Sequence, residues 1–224
     1  MTYLYITRHG ETIWNVQGRF QGRENSELTE RGIRQAESLA RVLDEEGIEL
    51  IITSPLKRAS ETARIARGSR PIPVVELDSL LELSLGRWEG AYLRELEAKD
   101  PDNYDRYWND PFNFTSEGGE SFPELIARLA EALKEISQLA RGRKALVVTH
   151  GMSLMALLHL VTGTDFHEVM QKPVLRQASI TKVRVLEGTG GDRYEVEYIG
   201  DTSHYGSEEL KSCSPMSRGG GNKE

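Results

Sequence analysis

The sequence predicts an α/β protein, a three-layer arrangement with a largely parallel sheet, helices on both faces and an antiparallel hairpin near the C-terminus. Three observations carry this reading. Short β-rich runs alternate with stretches of helical period along most of the 224 residues. The run Lys144–Thr149 (KALVVT) is apolar without alternation, as a strand covered on both faces must be. The last two strand-like runs are separated only by the Gly-rich turn Gly188–Asp192.

Tyr3–Thr7 is the first strand, and a polar, Gly-punctuated loop follows it to about Asn25. Thr29 opens a helix with Ile33, Ala36, Leu39, Ala40 and Leu43 at three- and four-residue spacing and Gly47 as its stop. Leu50–Thr53 is a buried-type strand. Ser54-Pro55 has the form of an N-cap and first-turn proline, starting a helix that reaches about Arg67. Pro73–Leu77 is a third strand. Ser121 and Glu124 make a capping box for a long helix through Leu125, Leu129, Leu133 and Ile136 to Gly142. After Lys144–Thr149 come His150-Gly151 and a helix from about Met152 to Val161. Ser179–Leu186 and Arg193–Gly200 form the closing hairpin, and residues 206–224 read as a polar, Gly/Ser-rich tail.

Composition excludes several function classes. A net charge of −7 with 28 Lys+Arg against 35 Asp+Glu argues against a nucleic-acid binder with a broad basic face. No apolar stretch approaches the roughly 18–20 residues that span a bilayer, and the first residues lack the charged and apolar regions of a signal peptide. Cys213 is the one cysteine, so no intrachain disulfide exists. A cytoplasmic setting without membrane or nucleic-acid partners fits, and no segment displays an interface that would fix an oligomeric state.

In open α/β sheets ligands sit beyond the carboxyl ends of the strands. There the first strand presents Arg8-His9-Gly10, the second the Ser54–Arg58 turn, the third Glu82 after a short loop, and the buried strand His150-Gly151. Two arginines, two histidines and a carboxylate thus share one edge of an acidic chain. Guanidinium forks match phosphate oxygens, helix N-termini after Ser54 and His150 offer oriented N–H groups, and histidine is a nucleophile at neutral pH. The combination points to phosphoryl chemistry. No His/Cys/Asp cluster has zinc-type spacing, and His159 and His167 read as structural.

These residues resemble the signature of the histidine phosphatase superfamily, the phosphoglycerate mutase-like proteins. The resemblance runs through Thr7–Thr12 with Trp14-Asn15, Gln21-Gly22, Leu28–Gly32, Ser54–Ala59 with Thr62-Ala63, Glu82 with Gly86–Gly90, Gly119–Ser121 and Val148–Gly151. It is strongest toward the bacterial broad-specificity phosphatase branch. It implies one domain over residues 1–205 with a lid at about 91–122, acting on a small phosphate monoester without metal or other cofactor. His9 would become phosphohistidine, Arg8, Arg58 and His150 would hold the phosphoryl oxygens, and Glu82 would act as acid and then base. Asn15, Gln21, Gly22 and Gly151 would bind substrate.

The family contains both phosphatases and mutases. Between Asp100 and Phe122 this chain places six acidic residues against Arg106 alone, with Tyr104, Tyr107, Trp108, Phe112, Phe114 and Phe122. It lacks the longer, cation-rich insertion with which the family's mutases grip a second phosphate and a carboxylate. A phosphatase for esters with a neutral or apolar leaving group is the expectation, and a cofactor-dependent phosphoglycerate mutase is the alternative. The lid aromatics either meet substrate or pack the lid on the sheet. Ser121 is read as a cap, and Asp201–His204 receive no role. From other classes come a serine hydrolase using Ser153 with His204, and a phosphate-ester binding module without turnover. The former lacks the elbow's second glycine, since Met155 stands there. Cys213 and Arg218 are one residue too close for a C-x5-R loop.

Overall fold

The computed structural model describes residues 1–206; the tail expected at 206–224, with Cys213 and Arg218, lies almost wholly outside them. The strands β1 (Thr2–Arg8), β2 (Leu50–Thr53), β3 (Val74–Glu76), β4 (Lys144–Thr149), β5 (Ile180–Leu186) and β6 (Arg193–Asp201) form one sheet of order β3-β2-β4-β1-β5-β6. The first four strands run parallel, and β5 and β6 are antiparallel additions beside β1.

Side-chain alternation feeds two separate cores. Leu4, Ile6, Leu50, Ile52, Ala145 and Val147 face one layer. It is closed by α6 (Phe122–Leu139) and α7 (Gly151–Thr162), with α4 (Leu93–Lys99), α5 (Pro101–Asn109) and the short α8 (Phe166–Met170). Tyr5, Ile51, Leu146 and Val148 face the other layer, against α2 (Glu30–Glu46) and α3 (Lys57–Arg67). Burial on both faces is why KALVVT shows no polar alternation. No helix of the described residues is long and apolar enough to cross a membrane.

Local chemistry sets the helix ends. Thr29 accepts from the Gly32 N–H at the start of α2, and Gly47 closes it at φ 65°. Ser121 and Glu124 form the reciprocal capping box of α6. A further helix, α1 (Ile13–Gln17), interrupts what the sequence presents as a continuous loop, because Thr12 and Asn15 make a second capping box. Two expectations are corrected. α3 begins at Lys57, behind Leu56, and Ser54 does not cap it. The buried face of α2 carries Gly32, Gln35, Ala36, Leu39 and Leu43, while Ile33 is exposed. Gly32 takes the inner position because the chain after β1 presses on it.

The hydroxyl of Ser121 is used by its own helix, accepting from the Glu124 N–H and donating to the Glu124 carboxylate. Ser121→Ala is expected to lower stability by about 1 kcal/mol in urea unfolding with kcat unchanged. A large loss of kcat without destabilisation would instead make Ser121 a substrate contact.

Candidate active site

The parallel register of β1 and β4 sets Arg8 opposite Thr149, and the His9 N–H donates to the Thr149 carbonyl at 2.9 Å. His9 and His150, the next residues of each strand, therefore leave the sheet side by side, rings 5.3 Å apart and both buried. Two glycines make room for this. A Cβ on Gly10 would stand 2.5 Å from the Gly32 carbonyl oxygen, and one on Gly32 2.0 Å from that of Glu11. The loop is pinned there as the Gly10 N–H donates to Thr62 and the Glu11 N–H to Gln35.

His9 Nδ1 lies 2.7 Å from the Gly10 carbonyl oxygen. A carbonyl only accepts, so Nδ1 carries the hydrogen and Nε2 keeps its lone pair. Arg58 Nε donates to that lone pair at 3.3 Å. The other nitrogens of Arg58 donate to the carbonyls of Gly22 and Glu24, each at 2.7 Å, and draw that loop over the site. Arg8 donates to the Leu175 carbonyl at 3.2 Å. Burial first, then Arg58 and Arg8, hold the His9 ring well below the ordinary histidine value. Burial, then Arg58, His9 and Arg8, do the same for His150. Burial lowers Arg8 and brings Arg58 down to about 10; a guanidinium in a protein stays protonated at neutral pH.

His150 Nε2 lies 2.7 Å from Ser54 Oγ, which already accepts from the Leu56 N–H. When that hydroxyl gives its hydrogen to Nε2, the neutral ring carries its own on Nδ1, a buried atom with no partner in the structure. Glu82 enters from the loop after β3. Its Oε1 accepts the N–H groups of Leu83 and Ser153, and its Oε2 accepts that of Met152. The first turn of α7 thus cups the Glu82 carboxylate, a correction to the expectation that this helix N-terminus simply faces phosphate. Arg128, on α6, holds the loop from behind by donating to the Ser79 and Leu81 carbonyls, each at 2.8 Å, while pairing with Glu120.

These groups surround a cleft with about 390 Å³ of space not filled by atoms. Arg8, His9, Arg58, Glu82, Gln21, Gly22 and Gly151 line it; His150 does not, and packs against the His9 ring instead. Asn15 is not among the lining residues. Its Oδ1 caps α1, and its buried Nδ2 has no partner among the described residues. Gln21 Oε1 accepts from Thr12, and Gly22, at φ 51°, leaves no room for a Cβ beside the Glu89 carboxylate. The outer wall is Phe20, Leu83, Leu85, Tyr107 and Met152, with Arg19 at the rim stacked 4.2 Å over Tyr92.

Sequence reasoning does not assign Arg19, Arg128 or the Ser54–His150 pair to the site, and it does not single out Tyr107 from the six aromatics between residues 100 and 122. Arg128 carries no sequence signal, being one charge on an amphipathic helix, whereas Ser54 lies within the run Ser54–Ala59 and has the local form of a helix cap. Of the lid aromatics, Tyr104, Trp108, Phe114 and Phe122 are buried, joined by ring contacts among themselves and with Trp88 and Tyr107. Phe112 stacks on Phe166, and Tyr107 alone of the six lines the cleft. The hydroxyl of Ser153 points to Leu81 and Glu82, and His204 bonds the Ala178 carbonyl, so the two form no catalytic pair. Among the described residues no group of three or more His, Cys, Asp or Glu has the placement to hold a metal.

A sequence profile described as the histidine phosphatase superfamily (branch 1) matches residues 4–197. The chain belongs to that superfamily. Within it, the "Probable phosphoglycerate mutase GpmB" of Yersinia pestis (strain Pestoides F) is 35% identical, over 91% of this chain and 95% of the relative. The solved structure of Bacillus stearothermophilus YhfR is 37% identical with a TM-score of 0.85, covering 91% of this chain and 99% of that one. The alpha-ribazole phosphatase of Shigella flexneri is 30% identical with a TM-score of 0.75, covering 87% and 95%. The two solved structures share the fold described above.

The two site histidines are expected to stay neutral when the solution is acidified through pH 6.5, because their folded values lie well below it. An unfolded histidine takes a proton in that window that the folded ring refuses, so these groups make stability fall as pH falls. NMR titration of the imidazole resonances reads this directly. Arg58→Gln, which removes a cation that lowers His9, should move the His9 midpoint upward. A wild-type midpoint at or above 6.5 would contradict the electrostatic account.

Proposed function

We propose that this chain hydrolyses phosphate monoesters in two steps through a phosphohistidine on His9, with no metal. The observation that carries the reading is the tautomer of His9, with Nδ1–H held by the Gly10 carbonyl and Nε2 aimed among cations. An incoming phosphoryl group takes over the Arg58 N–H from that lone pair. Nε2 then attacks phosphorus in line, the P–O ester bond breaks, and its electron pair stays on the bridging oxygen, which takes the proton of Glu82. Arg8, Arg58 and the Nδ1–H of His150 balance charge on the non-bridging oxygens, with Asn15 Nδ2 and the Gly151 N–H as further donors. In the second step Glu82 removes a proton from water, the hydroxide oxygen attacks phosphorus, and the P–N bond breaks to return His9 and free phosphate.

The outer wall supports a leaving group with apolar surface. Phe20, Leu83, Leu85, Met152 and the Tyr107 ring supply it, and Arg19 is the one lining cation beyond Arg8 and Arg58. Arg19 and the 35% identical mutase-named relative favour a second reading, phosphoglycerate mutase. The mutase reading needs a second anion grip, and Arg19 is already engaged with Tyr92, donating to its hydroxyl at 2.7 Å.

Hydrolysis of an aryl phosphate in excess chelator, wild type against His9→Ala, tests the proposal. Activity that resists chelation and falls by at least about 10³-fold in the variant is expected. Chelator-sensitive turnover, or full activity in His9→Ala, would overturn it. Rapid interconversion of phosphoglycerate isomers without net release of phosphate would establish the second reading.

A further inference from the structure

We propose that Ser153 is a positioning residue for the general acid, fixing the Glu82 carboxyl so that its Oε2 faces the ester and stabilising the charge left behind when the proton departs. The proposal rests on the phosphatase reading above.

The two carboxyl oxygens of Glu82 have unequal surroundings. Oε1 accepts the Leu83 N–H at 2.9 Å, the Ser153 N–H at 3.0 Å and the Ser153 hydroxyl at 3.1 Å. Among the described residues Oε2 accepts only the Met152 N–H, at 3.1 Å. Two backbone N–H donors already point at Oε1, and an amide N–H cannot turn round to accept, so a hydrogen placed on Oε1 would face two others. A proton on Glu82 therefore belongs on Oε2. That oxygen is also the one toward the reacting groups, because a Cβ on Gly151, at the cleft wall, would stand 3.5 Å from Oε2 and 3.6 Å from Arg8 Cζ.

The hydroxyl of Ser153 has a second acceptor, the Leu81 carbonyl at 2.8 Å. It has one hydrogen for two oxygens. With Glu82 protonated, the neutral Oε1 competes poorly and the hydrogen goes to Leu81. When the Oε2 proton moves to the departing ester oxygen, negative charge develops across the carboxylate, and the same hydrogen can turn toward Oε1 as a charge-assisted bond. The interaction strengthens as the proton is given up, which is the condition for an effect on the chemical step. Ser153 is fully buried on the first turn of α7 and is not itself among the residues that line the cleft. Burial of a hydroxyl with two acceptors and no solvent suits this use better than the nucleophilic one its sequence context suggests.

The test compares Ser153→Ala with wild type on two esters, an alkyl phosphate whose leaving oxygen needs a proton and a nitrophenyl phosphate whose leaving oxygen does not. The quantity read is the pH-independent plateau of kcat/KM, which removes changes in the fraction of protonated enzyme. The alkyl ester is expected to lose about tenfold more than the aryl ester, and this difference should vanish in a Glu82→Gln background. Ser153→Cys, which keeps the volume with a weak donor, carries the same comparison if the alanine variant does not fold. Equal losses on both esters, no loss, or a loss that persists beside Glu82→Gln would overturn the proposal. Failure of the wild type to turn over either ester would sink the phosphatase reading itself, and this inference with it.

Discussion

The site depends first on one backbone pairing, the parallel register of β1 against β4. With Arg8 level with Thr149, two histidines from residues far apart in sequence emerge at the same height. A slip of one residue would invert the faces of β1, sending Leu4 and Ile6 into the wrong core and separating the rings. The apolar segregation of the two cores therefore enforces the geometry of the reacting groups. The close backbone contact of Gly10 with Gly32 then fixes the loop that follows.

The second constraint is electrostatic. Arg8 and Arg58 are buried guanidinium groups in a chain of net charge −7. Bringing such charges out of water is costly unless acceptors are waiting. Carbonyls of Gly22, Glu24 and Leu175 supply them, and so does the lone pair of His9. Burial first, and then these same cations, keep the histidine ring unprotonated. Under the proposed function, a phosphate dianion entering the cleft would meet charge that is already desolvated and oriented, so little reorganisation would accompany reaction. Glu82 sits on the far side of this arrangement under backbone N–H donors, with Arg128 and Glu120 bracing its loop.

Much of this was legible in the sequence, for identifiable reasons. KALVVT could be only a doubly covered strand, and His9, Arg58, Glu82 and His150 each follow a strand whose end the hydrophobic pattern locates. The capping boxes announce α6 at Ser121 and, less visibly, α1 at Thr12. What remained hidden depends on contacts between distant segments. Ser54 reads locally as a cap, and only the neighbouring strand shows it to be the partner of His150. Ser153 lies in a context like a nucleophile elbow, and only the loop after β3 shows its hydroxyl on Glu82. Arg128 has the spacing of a solvated charge and is instead a clamp on carbonyls. The lid aromatics divide as neither simple expectation would have it, four serving as packing, Phe112 stacking on Phe166, and Tyr107 alone reaching the cleft.

The central claim is that His9 Nε2 carries the phosphoryl group. Rapid alkaline quenching of the enzyme during turnover of a ³²P-labelled monoester, followed by peptide mapping, tests it most directly. The account predicts a base-stable, acid-labile label approaching one phosphate per chain, located on His9. Label on another residue, or turnover with no covalent label in a burst that the quench resolves, would contradict it.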